Sequence, residues 1–197
     1  PPRGHWLIFS DPWGVGEGIR SQLLQRGVSA ALVSAGEGVS SHPDGRYTID
    51  PKAPGDYQRL LEELAALGRT ADRIVHIWSA TPELSDESDA ERRGRALALG
   101  CFSIVYLVQA LNSQGMGDPI DLTVVTSNTQ DVTGLERLQP ENAAVLGPCS
   151  VLPCEHPHIT CRAVDVVVQA QPGQGDEVAG AVLAEACAAD SASLVAY

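Results

Sequence analysis

At 197 residues, with 44% hydrophobic and 19% charged residues, the chain is large enough for one globular domain with a substantial core. Its formal net charge of −12 argues against a general nucleic-acid or anionic-membrane surface, because attraction to phosphates needs a basic face. The longest apolar stretch, Ala96 to Leu111, is interrupted by Gly100, Ser103 and Gln109, and is expected to be a buried helix rather than a membrane span.

The opening Pro1-Pro2-Arg3-Gly4-His5 has no signal-peptide pattern and no initiator methionine, so a cytoplasmic piece of a longer chain is expected. Twelve arginines against the single Lys52, with abundant alanine and glycine, point to a GC-rich bacterial source. Five cysteines, Cys101, Cys149, Cys154, Cys161 and Cys187, are an odd number and fit reduced thiols better than a disulfide framework.

Along the chain, apolar runs alternate with helix-length segments. Trp6 to Ser10 predicts a buried strand, followed by a glycine-rich turn and a helix from Ile19 to Arg26. Ser29 to Ser34 predicts a second strand, and a short strand is expected around Arg46 to Ile49 after a turn-rich stretch. Asp56 to Leu67 carries apolar residues at helical spacing and closes on Gly68. Arg73 to Trp78 is β-branched and nearly continuous, as expected of a strand covered on both faces.

Thr81 to Asp89 predicts a loop. Its acidic residues, Asp86, Glu87 and Asp89 with Glu91, suit a helix start, where negative charge meets the positive dipole end. A long helix from Ala90 to Ser113 should face the core through Leu97, Cys101, Ile104, Val105 and Val108. Asp121 to Ser127 reads as a strand and Glu141 to Leu152 as a helix ended by Pro153. Ile159 to Val168 should be a strand, Asp176 to Ala188 an amphipathic helix, and Ser193 to Tyr197 a last strand. The alternation predicts a truncated Rossmann-like α/β fold, three layers around a mostly parallel sheet, without an internal linker.

Four constellations could carry chemistry. Gly14, Gly16 and Gly18 lie where a strand–turn–helix unit cradles a dinucleotide, and Glu37, after the second strand, could accept a bond from a ribose hydroxyl. The third glycine of a full fingerprint would fall on Ile19, so a tight turn that binds nothing has the same pattern. Ser127 closes a strand, where it could bond a substrate carbonyl or merely cap a loop. Reductase chemistry also needs a tyrosine acidified by a nearby lysine. None of Tyr47, Tyr57, Tyr106 and Tyr197 is followed four residues later by a lysine. Cys149, Cys154, His156, His158 and Cys161 are soft ligands in one stretch, but Pro148, Pro153 and Pro157 interrupt them. Buried thiols and a surface loop therefore fit better than zinc, and no metal is expected.

Several segments resemble the non-catalytic structural subdomain of ketoreductase or pseudo-ketoreductase domains in modular type I polyketide synthases. They are Trp6-Leu7-Ile8-Phe9 with Gly14-Val15-Gly16, Ile74-Val75-His76-Ile77-Trp78-Ser79, and the closing Leu194-Val195-Ala196-Tyr197. The most specific block runs from Ala144-Val145-Leu146-Gly147-Pro148-Cys149 through Pro153-Cys154-Glu155 to Ile159-Thr160-Cys161-Arg162-Ala163-Val164-Asp165. Ser150, Cys154, His156 and His158 depart from the family pattern in that block.

The resemblance implies one subdomain over residues 1–197 with no catalytic residues of its own. It also implies that NADPH and the serine, tyrosine and lysine belong to a separate catalytic half. Implied partners are that half and the enoylreductase, methyltransferase or carrier domains of one synthase for secondary metabolites, with no nucleic acid and no membrane.

Overall fold

A computed structural model describes residues 4–82, 87–115, 117–134, 137–168, 175–188 and 192–197. One eight-stranded sheet organises them, in the order β3-β4-β2-β1-β5-β6-β7-β8. The strands are β1 (Trp6–Ser10), β2 (Ala30–Ala35), β3 (Ser40–Ser41), β4 (Arg46–Ile49), β5 (Arg73–Ser79), β6 (Ile120–Ser127), β7 (Ile159–Val166) and β8 (Leu194–Ala196). Every pairing is parallel except that of β3 with β4. From β1 the chain winds outward through β2 to β4, then crosses back to β5 on the other side. The order reverses between β1 and β5, and the carboxyl ends of those strands are where such folds open a crevice.

Alternation along the strands divides the core into two layers. Trp6, Ile8, Leu32, Val75 and Ile77 face α1 (Val15–Gln25) and α6 (Gly175–Ala186), meeting Ile19, Leu23, Val182 and Leu183. Leu7, Phe9, Val33, Ile74 and Leu122 face the opposite layer of α2 (Pro54–Ala66), α4 (Ser103–Ser113) and α5 (Leu146–Glu155). This two-sided burial explains the unbroken apolar strands, and the expected fold class is correct.

The differences from expectation have local causes. Helix α1 starts at Val15 rather than Ile19, so Gly16 and Gly18 lie inside it and only Gly14 forms the turn, at φ 100°. The long helix runs from Asp89 to Ser113, but in three parts. They are α3 (Asp89–Ala96), a π-helical segment (Leu97–Phe102) and α4. The wider π turn rotates the buried face, so Ala96, Gly100, Ser103, Ile104 and Leu107 point inward while Leu97 is exposed. By length and composition alone Asp89–Ser113 is long and apolar enough to cross a bilayer, its most apolar 18-residue window having a mean hydropathy of 1.6. In this fold the stretch packs on α2 and the sheet.

The segment read as one helix from Glu141 is a 3₁₀ turn (Pro140–Val145) followed by α5, which continues two residues past Pro153. A proline so near the end removes a single helical bond, and His156 N closes the terminus on Leu152 O at 2.8 Å. The acidic helix start is a capping box. Ser88 Oγ accepts from Glu91 N at 3.3 Å, and Glu91 Oε2 accepts from Ser88 N at 2.9 Å. Asp86 lies outside the described residues.

Candidate functional site

The cradle expected between β1 and α1 is filled by the protein itself. Asp11 follows β1 directly and is 6% exposed. Its carboxylate accepts hydrogen bonds from Trp13 N (2.9 Å), Val15 N (3.3 Å) and Gly16 N (2.9 Å). These amides form the α1 N-terminus, the donors that a bound pyrophosphate would use. The reading from sequence missed Asp11. The signal available was an acidic residue between an apolar strand and a helix start.

The glycines of α1 lie at close packing contacts. A Cβ on Gly16 would lie 2.3 Å from Ser10 Oγ, so its helix lies directly on the end of β1. At Gly18 a Cβ would lie 2.8 Å from Ala179 Cβ and 3.0 Å from Asp176 Oδ1. The start of α6 also covers the turn, since a Cβ on Gly175 would come within 2.8 Å of the Gly14 carbonyl carbon. Gly18 and Gly175 thus mark a close contact between the starts of α1 and α6. Glu37 is exposed in the loop after β2 and does not line the adjacent cleft.

That cleft, ≈ 340 Å³, opens at the carboxyl ends of β1, β2 and β5, with walls that include Pro12, Trp13, Ala35, Trp78 and Leu99. Trp78 is fixed by donating from Nε1 to Ser10 O at 3.0 Å. On the rim, Arg95 is tied to Glu87 by a bidentate pair, with Nη2 to Oε2 at 2.8 Å and Nε to Oε1 at 3.1 Å.

Ser127 is fully buried and ties β6 to the loop after β5. Its Oγ accepts from Thr81 N at 2.9 Å and donates to Thr81 O at 2.6 Å, while Asn142 Nδ2 donates to it at 3.2 Å. That is a loop anchor with no open face. A second buried carboxylate, Asp165, shapes the next loop by accepting from Thr126 Oγ1 (2.6 Å), Thr129 N (3.0 Å) and Gln130 N (3.0 Å). It helps Asn128 hold its left-handed conformation, at φ 52°.

The tyrosines and the lysine do not come together. Tyr57 is buried, with its hydroxyl near Pro51 O (3.1 Å) and Ser103 Oγ (3.0 Å), and burial pushes its pKa well up. Ser103 also meets His76 Nε2 at 2.7 Å. His76 is completely enclosed, and burial depresses its pKa to about 3, so the ring is neutral. Tyr47 is buried, Tyr106 stacks with Phe102 at 6.4 Å, and Tyr197 donates to Glu185 at 2.6 Å. Lys52 is exposed in the turn before α2.

The soft ligands also disperse. Cys149 is buried and hydrogen-bonds Cys161, which holds the Cys161 thiol far above its usual range together with burial. Cys154 is exposed, and the His156 and His158 rings lie edge to face at 6.1 Å. No group of three metal-capable side chains occurs among the described residues.

A doubly wound, mostly parallel α/β sheet with a buried carboxylate over the start of its first helix defines a Rossmann-like domain. Its family follows from the match of residues 4–184, and the chain belongs to the family described as beta-ketoacyl synthase-like, N-terminal.

Its structure is similar to a multidomain adenylation, ketoreductase and pseudo-Asub structure of a keto acid-selecting NRPS module. The TM-score is 0.86 and the identity 21%, covering 100% of this chain and 16% of that one. It is also similar to an N-terminal ketoreductase from the macrolactin assembly line, with TM-score 0.77 and 19% identity over 98% of this chain and 37% of that one. A short-chain dehydrogenase/reductase from Serratia marcescens BCRC 10948 gives TM-score 0.68 and 16% identity, covering 98% and 94% of the two chains. No curated protein sequence matches. The chain thus spans well under half of the two assembly-line proteins. The resemblance to the structural subdomain of ketoreductases, read from residues 144–165, agrees with the family and these relatives.

Proposed function

We propose that this chain is a non-catalytic scaffold of a polyketide synthase, a structural subdomain that supports and positions an NADPH-dependent ketoreductase half or adjacent reductive domains. The observation that carries this reading is Asp11 on the amides of Trp13, Val15 and Gly16, with α6 lying over Gly14. A dinucleotide would have to displace a carboxylate already satisfied by three donors, and then find room under Gly175. The dispersed tyrosines and the exposed Lys52 add that no acid–ammonium pair forms within this chain. The cofactor of the assembled enzyme, NADPH, would therefore sit in the partner half.

A scaffold needs an apolar face to bury. Leu97 and Phe102, 39% and 47% exposed on the π segment, supply large apolar surface that the fold itself leaves open. Burying such a face stabilises an interface by roughly 25 cal/mol per Å² of apolar area. The test is co-purification with the ketoreductase half of the same synthase. Phe102→Asp should abolish the association while leaving the unfolding temperature of the isolated chain unchanged. Retained association would move the interface elsewhere. Ketoreduction by the isolated chain would overturn the scaffold reading.

The competing reading, a dinucleotide-binding oxidoreductase module built on Gly14, Gly16 and Gly18, has in its favour the cleft at the carboxyl ends of β1 and β5. That cleft can take a flat ring, but the donors for a pyrophosphate beside it are spent on Asp11.

A further inference from the structure

At the opposite, amino end of the strands lies a smaller cleft of ≈ 170 Å³, bounded by Trp6, Arg20, Ser29, Ala30, Asp44 and Arg69 among others. We infer that this cleft binds a tetrahedral oxyanion, a phosphate or the phosphate of a phosphomonoester, held between Arg20 and Arg69. Its volume is below the range of clefts that hold drug-sized ligands and suits an ion or a small head group.

Two arginines reach it from separate elements, Arg20 from α1 and Arg69 from the turn after α2. Neither has a carboxylate within ion-pair distance among the described residues, whereas Arg46, Arg73, Arg92 and Arg95 all do. Arg20 donates from Nη2 to the backbone carbonyl of Asp44, and its Nε is buried with no acceptor. The guanidinium plane of a cleft-lining arginine offers a fork of donors that matches an oxyanion. Arg69 hydrogen-bonds the hydroxyl of Tyr47, which orients it without neutralising it. Asp44 is the one carboxylate lining the cleft among the described residues; Arg46 holds it at 2.8 Å, and it also feels the charge of Arg20. With Arg20 and Arg69 against Asp44 the lining is net positive on a chain of net charge −12, which favours an anion there.

The site is remote from the glycine turn, so it stands or falls independently of the scaffold reading. Thermal unfolding in sodium phosphate and in sodium chloride at matched ionic strength tests it, together with ³¹P NMR titration of inorganic phosphate. A saturable rise in unfolding temperature with phosphate, absent with chloride, is expected. Arg20→Gln and Arg69→Gln should each weaken phosphate binding about tenfold, a loss in line with one charge-assisted hydrogen bond. Methyl phosphate in place of phosphate identifies the source. Tighter binding of the ester assigns the site to a phosphomonoester, and equal or weaker binding assigns it to the free ion. Identical unfolding in the two salts would overturn the inference, as would variants with an undiminished phosphate response. If Arg20→Gln fails to fold, the exposed-side variant Arg69→Gln and the wild-type ³¹P titration still decide.

Discussion

The carboxylate of Asp11 accepts a hydrogen bond of 2.9 Å from the backbone nitrogen of Gly16 and so holds the start of α1 to the end of β1. Because Asp11 is almost wholly buried, loss of its carboxylate leaves amides of the α1 N-terminus without acceptors. Asp11→Ala should destabilise the chain by about 2 kcal/mol, between a lost cap and a set of orphaned donors. Chemical denaturation of both proteins reads this directly, and a loss below about 0.5 kcal/mol would show that water satisfies these amides.

Gly18 should tolerate no side chain while Ala179 faces it. A methyl at Gly18 would lie 2.8 Å from Ala179 Cβ, so Gly18→Ala should cost about 1–3 kcal/mol through overpacking. The double variant Gly18→Ala with Ala179→Gly should recover part of that loss. Additive destabilisation in the double-mutant cycle would mean that the two helices do not meet here.

His76 makes stability depend on pH in a defined direction. Its pKa in the folded chain is about 3, against 6.5 for the free side chain, because burial penalises the charged ring. Above pH 6.5 the ring is neutral in both states and costs nothing. As pH falls from there toward 3, the unfolded chain takes up a proton that the folded chain refuses, and stability drops. The slope approaches 1.36 kcal/mol per pH unit, or about 2 kcal/mol between pH 6.5 and 5. His76→Gln keeps a partner for Ser103 and should flatten that part of the curve. Unfolding at pH 5, 6 and 7 checks it, and parallel curves for the two proteins would refute the assignment.

The parts of the fold legible in the sequence are those fixed by local pattern. Arg46–Ile49 and Arg73–Ser79 stood out because alternation or continuous β-branching matches the two-sided burial they undergo. The two-residue strand Ser40–Ser41 carries no pattern of its own and exists only because β4 is beside it. The π turn at Leu97–Phe102 was hidden for a related reason. Its cause is tertiary, since Gly100 approaches Ser79 closely enough that a Cβ would lie 2.8 Å from the serine Oγ.

The site divides in the same way. The glycines were visible, but their packing depends on α6, which begins only at Gly175. The capping by Asp11 and the anchoring by Asp165 join a side chain to loop amides whose positions only the folded sheet sets. Arg20, in the middle of a helix, reads from sequence as a solvated charge, and only the packing beside Asp44 encloses its Nε.

The Asp11 carboxylate occupies the amides of Trp13, Val15 and Gly16, where a pyrophosphate would otherwise bind. Calorimetric titration of the isolated chain with NADPH tests this most directly. No saturable heat is predicted up to about 1 mM cofactor, where any remaining affinity would be weaker than about −4 kcal/mol. Saturable binding in the micromolar range, lost on Gly16→Trp, would contradict it and make the glycine turn a working cofactor site.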